Sequence, residues 1–171
     1  HTVGFLGLQV TKFNLAKDNN LVSILEHFRE EQGHDSLILK DMKSLKRSIS
    51  EYEEYPETRS FYQPQYFLID YQGADAHFGY SLFLEGLASK TGPELYEMLN
   101  RYHGSSAATF VRVHSQLDQD HFVEGCREIS RLSPEALKCI SDNLDQTAAL
   151  YEIIIRKIKT HCRQKNAHQV A

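Results

Sequence analysis

The stretch "HSQLDQDH", residues 114–121, sets a histidine, an aspartate four residues on and a histidine three further. On a helix each residue advances roughly 100°, so His114, Asp118 and His121 fall at about 0°, 40° and 340° around the axis. All three point one way. Either that face is wet, its polar groups satisfied by solvent, or it faces a metal ion.

The motif has a near copy upstream. "HFREEQGH", residues 27–34, carries His27, Glu31 and His34 at the same four-then-three spacing. Taken alone, each pattern reads first as a solvated helix face. Both, however, lie beside apolar residues rather than in charge runs: Val111, Val113 and Leu117 in one, Leu25 and Phe28 in the other. A third carboxylate, Glu85, stands alone in the apolar stretch "YSLFLEGLAS" at 80–89. An ionised glutamate is seldom buried without a partner, because stripping water from the charge is expensive. The partner is either a cation or an arginine such as Arg112 or Arg127. Together Glu31, His34, Glu85, His114, Asp118 and His121 would offer three imidazoles and three carboxylates from three helices. Such a set suits a pair of first-row ions, iron or manganese. Without thiolates, structural zinc is a poor fit.

Around these motifs the pattern reads as helix nearly throughout. Residues 2–16, "TVGFLGLQVTKFNLA", are apolar enough for a packed helix, and "DNN" at 18–20 offers caps for the next. Leu21, Ile24, Leu25 and Phe28 recur at helical spacing, and the pattern resumes at Leu37. Gly33 between them implies a kink or close packing. A short helix is expected over 43–53, then a loop through "EYEEYPETRSFYQPQ" at 51–65, marked by Pro56 and Pro64. A long helix is expected from Gln65 to Ser89, its glycines 73, 79 and 86 implying a closely approaching helix or ligand. Thr91 would cap the next helix, with Pro93 in its first turn. The opening motif lies in 107–131, and Ser133-Pro134-Glu135 starts a last helix with an apolar stripe from Leu137 to Ile158. The expectation is an all-α bundle of about seven helices, one domain over residues 1–171.

Composition narrows the function classes. The chain is 41% hydrophobic and 25% charged, as ordinary globular proteins are. A net charge of −4 with no basic stripe gives no case for nucleic acid. The densest basic run, "KSLKRS" at 43–48, reads as a solvated face. No apolar run approaches the roughly 20 residues of a membrane span, and no signal peptide is visible. The first residue is His1 rather than methionine, so the chain reads as trimmed at its N-terminus. Three scattered cysteines with no CxxC spacing argue against a disulfide framework and point to a cytoplasmic setting.

"LEHFREEQGHDSLILKDM", "GYSLFLEGLAS" and "HSQLDQDH", in that order, resemble the heme-oxygenase-like diiron oxidases. That family includes an apoptosis-linked chlamydial protein and bacterial oxidases acting on fatty acids or amino acids. The resemblance implies a seven-helix heme-oxygenase-like fold that binds two irons, not heme, and activates dioxygen. It places the family's middle-helix glutamate on Glu85, its His-Asp-His trio on His114, Asp118 and His121, and its first-helix histidine on His34. Some members carry a glutamate where this chain has His27, and others place it at Glu31. Glu31 is preferred here, with Glu30 as the alternative and His27 as an outer-layer group or an additional ligand.

The function so implied is oxidation of a small amino-acid-like or fatty-acid-like substrate by dioxygen: N-oxygenation, desaturation or carbon–carbon cleavage. Arg59, Lys40 or Arg112 would meet a substrate carboxylate, and Tyr66, Tyr71 or Tyr80 would line the pocket. The expected partners are therefore a small molecule and dioxygen, with no nucleic acid and no membrane; a homodimer is compatible. The alternative is a noncatalytic helical interaction protein on the same scaffold, using the "EYEEYPETRSFYQ" segment as its contact surface. A heme enzyme would leave most of the six ligands unexplained.

Overall fold

The computed structural model describes residues 1–13 and 21–169, with side chains to residue 165. Seven α-helices occur in the described residues: α1 (Thr2–Lys12), α2 (Leu21–Glu31), α3 (Asp35–Ser44), α4 (Pro56–Tyr71), α5 (Phe78–His103), α6 (Thr109–Ile129) and α7 (Pro134–Gln169). Short 3₁₀ turns fill Ile49–Glu51, Ala74–His77 and Ser105–Ala107. There is no strand among the described residues. The all-α architecture is as expected. The expected end of the first helix at 14–16 and the "DNN" caps lie outside the described residues.

Several boundaries differ from the sequence pattern, each for a local reason. The helix expected over 43–53 is absent. Instead α3 stops at Ser44, because Lys46 adopts a left-handed φ of 57°. The Lys46 N–H then donates to Lys43 O at 2.9 Å and the Arg47 N–H to Met42 O at 2.9 Å, the paired closure usually built on glycine. A capping box between Ser48 and Glu51 closes the next turn as 3₁₀. The expected loop at 51–65 ends at Tyr55, since Pro56 opens α4 at a position where its missing N–H costs nothing. Pro64 sits inside α4, where Phe61, Gln65 and Ile69 form a buried i, i+4, i+8 stripe that outweighs one lost backbone bond.

The long helix expected from Gln65 to Ser89 is two. Gly73, at φ 107°, breaks it between α4 and α5. By contrast Thr91 caps nothing. Its hydroxyl donates to Leu87 O within α5, which runs through Pro93 to His103.

The core has two adjoining parts. Leu6, Ile24, Phe78, Leu82 and Ile140 pack together, and Phe5, Phe61, Ile69 and Tyr80 form the second group. α5 runs through the middle, packed on α6 and α7. Gly79 makes its contact with α7 possible: a Cβ there would lie 2.3 Å from Ile140 O and 2.6 Å from Leu144 N. That close approach brings buried Asn143 onto the start of α5. Its Oδ1 accepts the Tyr80 N–H at 2.7 Å and its Nδ2 donates to Gln65 Oε1 at 3.1 Å. One of the orphan N–H groups of the first turn is thus satisfied from a neighbouring helix. Asp41 of α3 does the same for α6, its Oδ2 accepting the Phe110 N–H at 2.8 Å. No described helix is long and apolar enough to cross a membrane.

Candidate metal centre

α2, α3, α5 and α6 converge on a buried group of seven side chains. Between α2 and α3 the chain turns at Gly33, whose φ of 87° is the left-handed conformation that favours glycine. The reversal points Glu31, the last residue of α2, and His34 at one centre, with Glu31 Oε2 3.5 Å from His34 Nδ1. From α6, His114 Nε2 comes within 4.0 Å of the same oxygen. On the other side of Glu31, His27 Nε2 lies 3.8 Å from Glu31 Oε1 and 3.7 Å from Glu85 Oε1. The His27 and His121 rings are 4.5 Å apart, and His121 Nδ1 stands 3.6 Å from Asp118 Oδ1.

Three overlapping trios have donor atoms within 4.8 Å of one another: Glu31, His34 and His114; Glu31, Asp118 and His121; His27, Glu85 and His121. All six residues read as ligands from the sequence are therefore brought together, and His27 stands among them. Glu30 does not join the group. It stands behind it, half exposed, with its Oε2 2.7 Å from His121 Nε2.

The residues fit metal ions on three observations. First, the N···O separations of 3.5–4.0 Å are too long for hydrogen bonds. Two ligands about 2.1 Å from one ion at 90–120° lie about 3.0–3.6 Å apart, so the spacing is close to that of a coordination shell. Second, the Nδ1 atoms of His34 and His121 are buried with no hydrogen-bond partner. Third, the outward nitrogens are engaged. His114 Nδ1 is 2.9 Å from Phe110 O, an atom that can only accept, so Nδ1 carries the hydrogen and Nε2 is left with its lone pair. The Glu30 carboxylate does likewise for His121.

Charge points the same way. Glu31, Glu85 and Asp118 are each no more than 8% exposed, and no lysine or arginine among the described residues pairs with them. Arg112 and Arg127, the arginines considered for Glu85, are exposed and unpaired with it. Burial pushes the Glu85 carboxyl up to about 7, against the pull of His27 and His121. Burial also raises Glu31, but the facing imidazoles of His27, His114 and His34 more than offset it and hold it below its ordinary value. The Asp118 carboxylate, helped by Glu30 and Glu85 and opposed by burial, raises His121 to about 9. Without metal, protons thus stand where cations would. Two divalent ions against three carboxylates and neutral imidazoles would leave the group close to charge balance.

A cavity of about 290 Å³ opens onto Glu31, Glu85, His114 and Asp118 from one side. Its walls are mainly apolar, with Leu84, Leu87, Ala88, Leu95, Phe110 and Val111 joined by Tyr80 and Tyr151. Of the substrate-pocket residues read from the sequence, Tyr80 lines it. The others are placed elsewhere. Arg59 is exposed and paired with Glu54 at 3.3 Å, Arg112 and Lys40 are exposed outside the lining, Tyr71 is exposed, and Tyr66 meets His1 Nδ1 at 3.0 Å. Sequence reasoning missed Asp41 and Asn143, which set the starts of α6 and α5, two of the ligand-bearing helices. Asp41 lies between Lys40 and Met42, with Lys43 beyond, so it carried none of the signal that singled out Glu85.

No protein-family model and no curated protein sequence matches the chain. A crystal structure does: a domain of unknown function with a heme oxygenase-like fold from Shewanella denitrificans OS217. It superposes with a TM-score of 0.84 at 17% identity, over 97% of this chain and 74% of that one. The chain therefore has a heme oxygenase-like fold.

Proposed function

We propose that the protein is a non-heme diiron oxidase or oxygenase, with manganese as the alternative metal. The observation that carries this reading is the sharing of Glu31 between two groups of donor atoms at the end of an apolar cavity. Glu31, His34 and His114 would hold one ion and His27, Glu85 and His121 the other, with Glu31 also reaching the second alongside Asp118 through the trio they form with His121. When bound, the pair would supply the electrons that reduce dioxygen and the oxidant for the substrate. The chain's own residues bind, exclude water and orient. The apolar walls keep water from the metal face. Tyr80, whose phenol burial raises further above its ordinary value, stays protonated and offers an O–H to a bound molecule. Among the described residues the cavity lining contains no lysine or arginine to balance a zwitterion. This favours a fatty-acid-like substrate, with an aliphatic body and its polar end at the metals, over an amino acid.

The test is anaerobic titration with Fe(II), followed by mixing with dioxygen. Two irons per chain and a transient visible absorption are expected. Failure to bind iron would sink the reading in favour of the interaction protein, and a Soret band would replace it with a heme enzyme.

A further inference from the structure

A second cavity, of about 70 Å³, reaches the same group from the opposite side, and its chemistry is the reverse. Both cavities touch His27, Ser81 and Glu85, so these side chains form the wall between them. The smaller one is lined from α2 by Ser23, Glu26 and Glu30 and from α6 by Glu124 and Glu128, with no lysine or arginine among the described residues. By the usual allowance of about 10–15 Å³ per water, it has room for about five. Glu26 with Glu30, and Glu124 with Glu128, are carboxylate pairs one helical turn apart that concentrate negative charge at this cavity, with Glu30 already engaged by His121. Gln9 adds an independent sign. It lines this cavity and is 1% exposed, its Nε2 donates to Ala74 O at 2.9 Å, and its Oε1 is buried with no partner. A buried, unmet oxygen beside a carboxylate-lined space calls for a cation or its water.

We infer that this cavity is the loading route for the divalent cations of the metal centre, with Glu26 and Glu124 at its mouth capturing a hydrated ion that passes inward to Glu85, His27 and His121. The apolar cavity is then left to the substrate, and the two traffics do not share a path. The inference rests on the diiron reading, and the experiment separates the two.

Metal-free full-length protein is mixed anaerobically with Mn(II) in a stopped-flow instrument, and the final stoichiometry is measured by equilibrium dialysis. The Glu26→Gln/Glu124→Gln double variant removes two exposed charges from the mouth without altering a proposed ligand. The Glu94→Gln/Glu97→Gln double variant removes two from the exposed face of α5 and serves as control. At low salt the mouth variant is expected to load about five-fold more slowly than wild type, with stoichiometry unchanged. The control should load at the wild-type rate, and the difference should collapse in about 0.5 M salt. Equal loading rates in both variants at full stoichiometry would overturn the route and leave the metal centre standing. A wild-type protein that takes up no metal would bring down the centre itself. Ala88→Phe, which fills the apolar cavity, should leave the loading rate unchanged; slowed loading there would put entry on the substrate side.

Discussion

The two proposed ion positions are built from the same residue types and held very differently. His34 and His114 are fixed by backbone: one by the turn at Gly33, the other by the Phe110 carbonyl and by Asp41, which caps the helix carrying it. His121, in the other position, is oriented by the half-exposed side chain of Glu30 and borders the carboxylate-lined cavity. Backbone-held ligands keep their geometry without metal, whereas a ligand steered by a mobile carboxylate pays ordering entropy when metal arrives. The first position should bind more tightly and exchange more slowly.

Five substitutions at four residues bear on this asymmetry. Glu31→Ala should have the largest effect, because it removes the shared carboxylate: both ions should be lost, with affinity falling at least ~100-fold by calorimetry. If one ion still bound at wild-type affinity, Glu31 would not be shared. Glu85→Ala should be selective, lowering iron from two per chain to one and abolishing the dioxygen transient. A mutant transient like that of wild type would refute the role of Glu85. Glu85→Met should also raise the thermal midpoint of the metal-free protein, since a buried carboxyl without a lysine or arginine is replaced by an apolar group, a gain of ~1–3 kcal/mol. Glu30→Gln should weaken the second ion about 10–100-fold and leave the first untouched. Equal weakening of both would show that the positions are not separately held. Asp41→Ala should have the smallest effect, costing ~1–2 kcal/mol of stability through the lost cap on α6 and weakening the first ion slightly. Chemical denaturation of the metal-free protein measures it.

What the sequence made legible was periodicity and chemistry at fixed spacing. The His-Asp-His face of α6 and the lone Glu85 are read within single helices, where a rise of 1.5 Å and a turn of 100° per residue determine which side chains share a face. Boundaries set by other parts of the chain were not legible. Lys46 closes α3 in a conformation that its identity does not announce, and Pro64 and Pro93 lie inside helices because tertiary burial outweighs a missing N–H. His27 was left open between an outer-layer group and an additional ligand, since its role depends on where Glu85 of α5 comes to lie. The wall of the apolar cavity was likewise out of reach: its residues come mostly from α5 and α6, and it leaves Arg59 and Arg112 outside. The ordering of α6 should depend on its ligands being bound. Three polar groups on one face beside the core should make its amide hydrogen exchange slow when Fe(II) is added, and equal protection in both states would count against that.

The turn at Gly33 offers a chemical handle. Its φ of 87° is the mirror image of what an ordinary side chain prefers, and the residue is exposed. A D-amino acid introduced there by peptide ligation would be at home in that backbone shape. It would narrow the unfolded ensemble while stiffening the three-residue step from Glu31 to His34. Stereochemistry at one surface atom would then tune how firmly two buried donors are held.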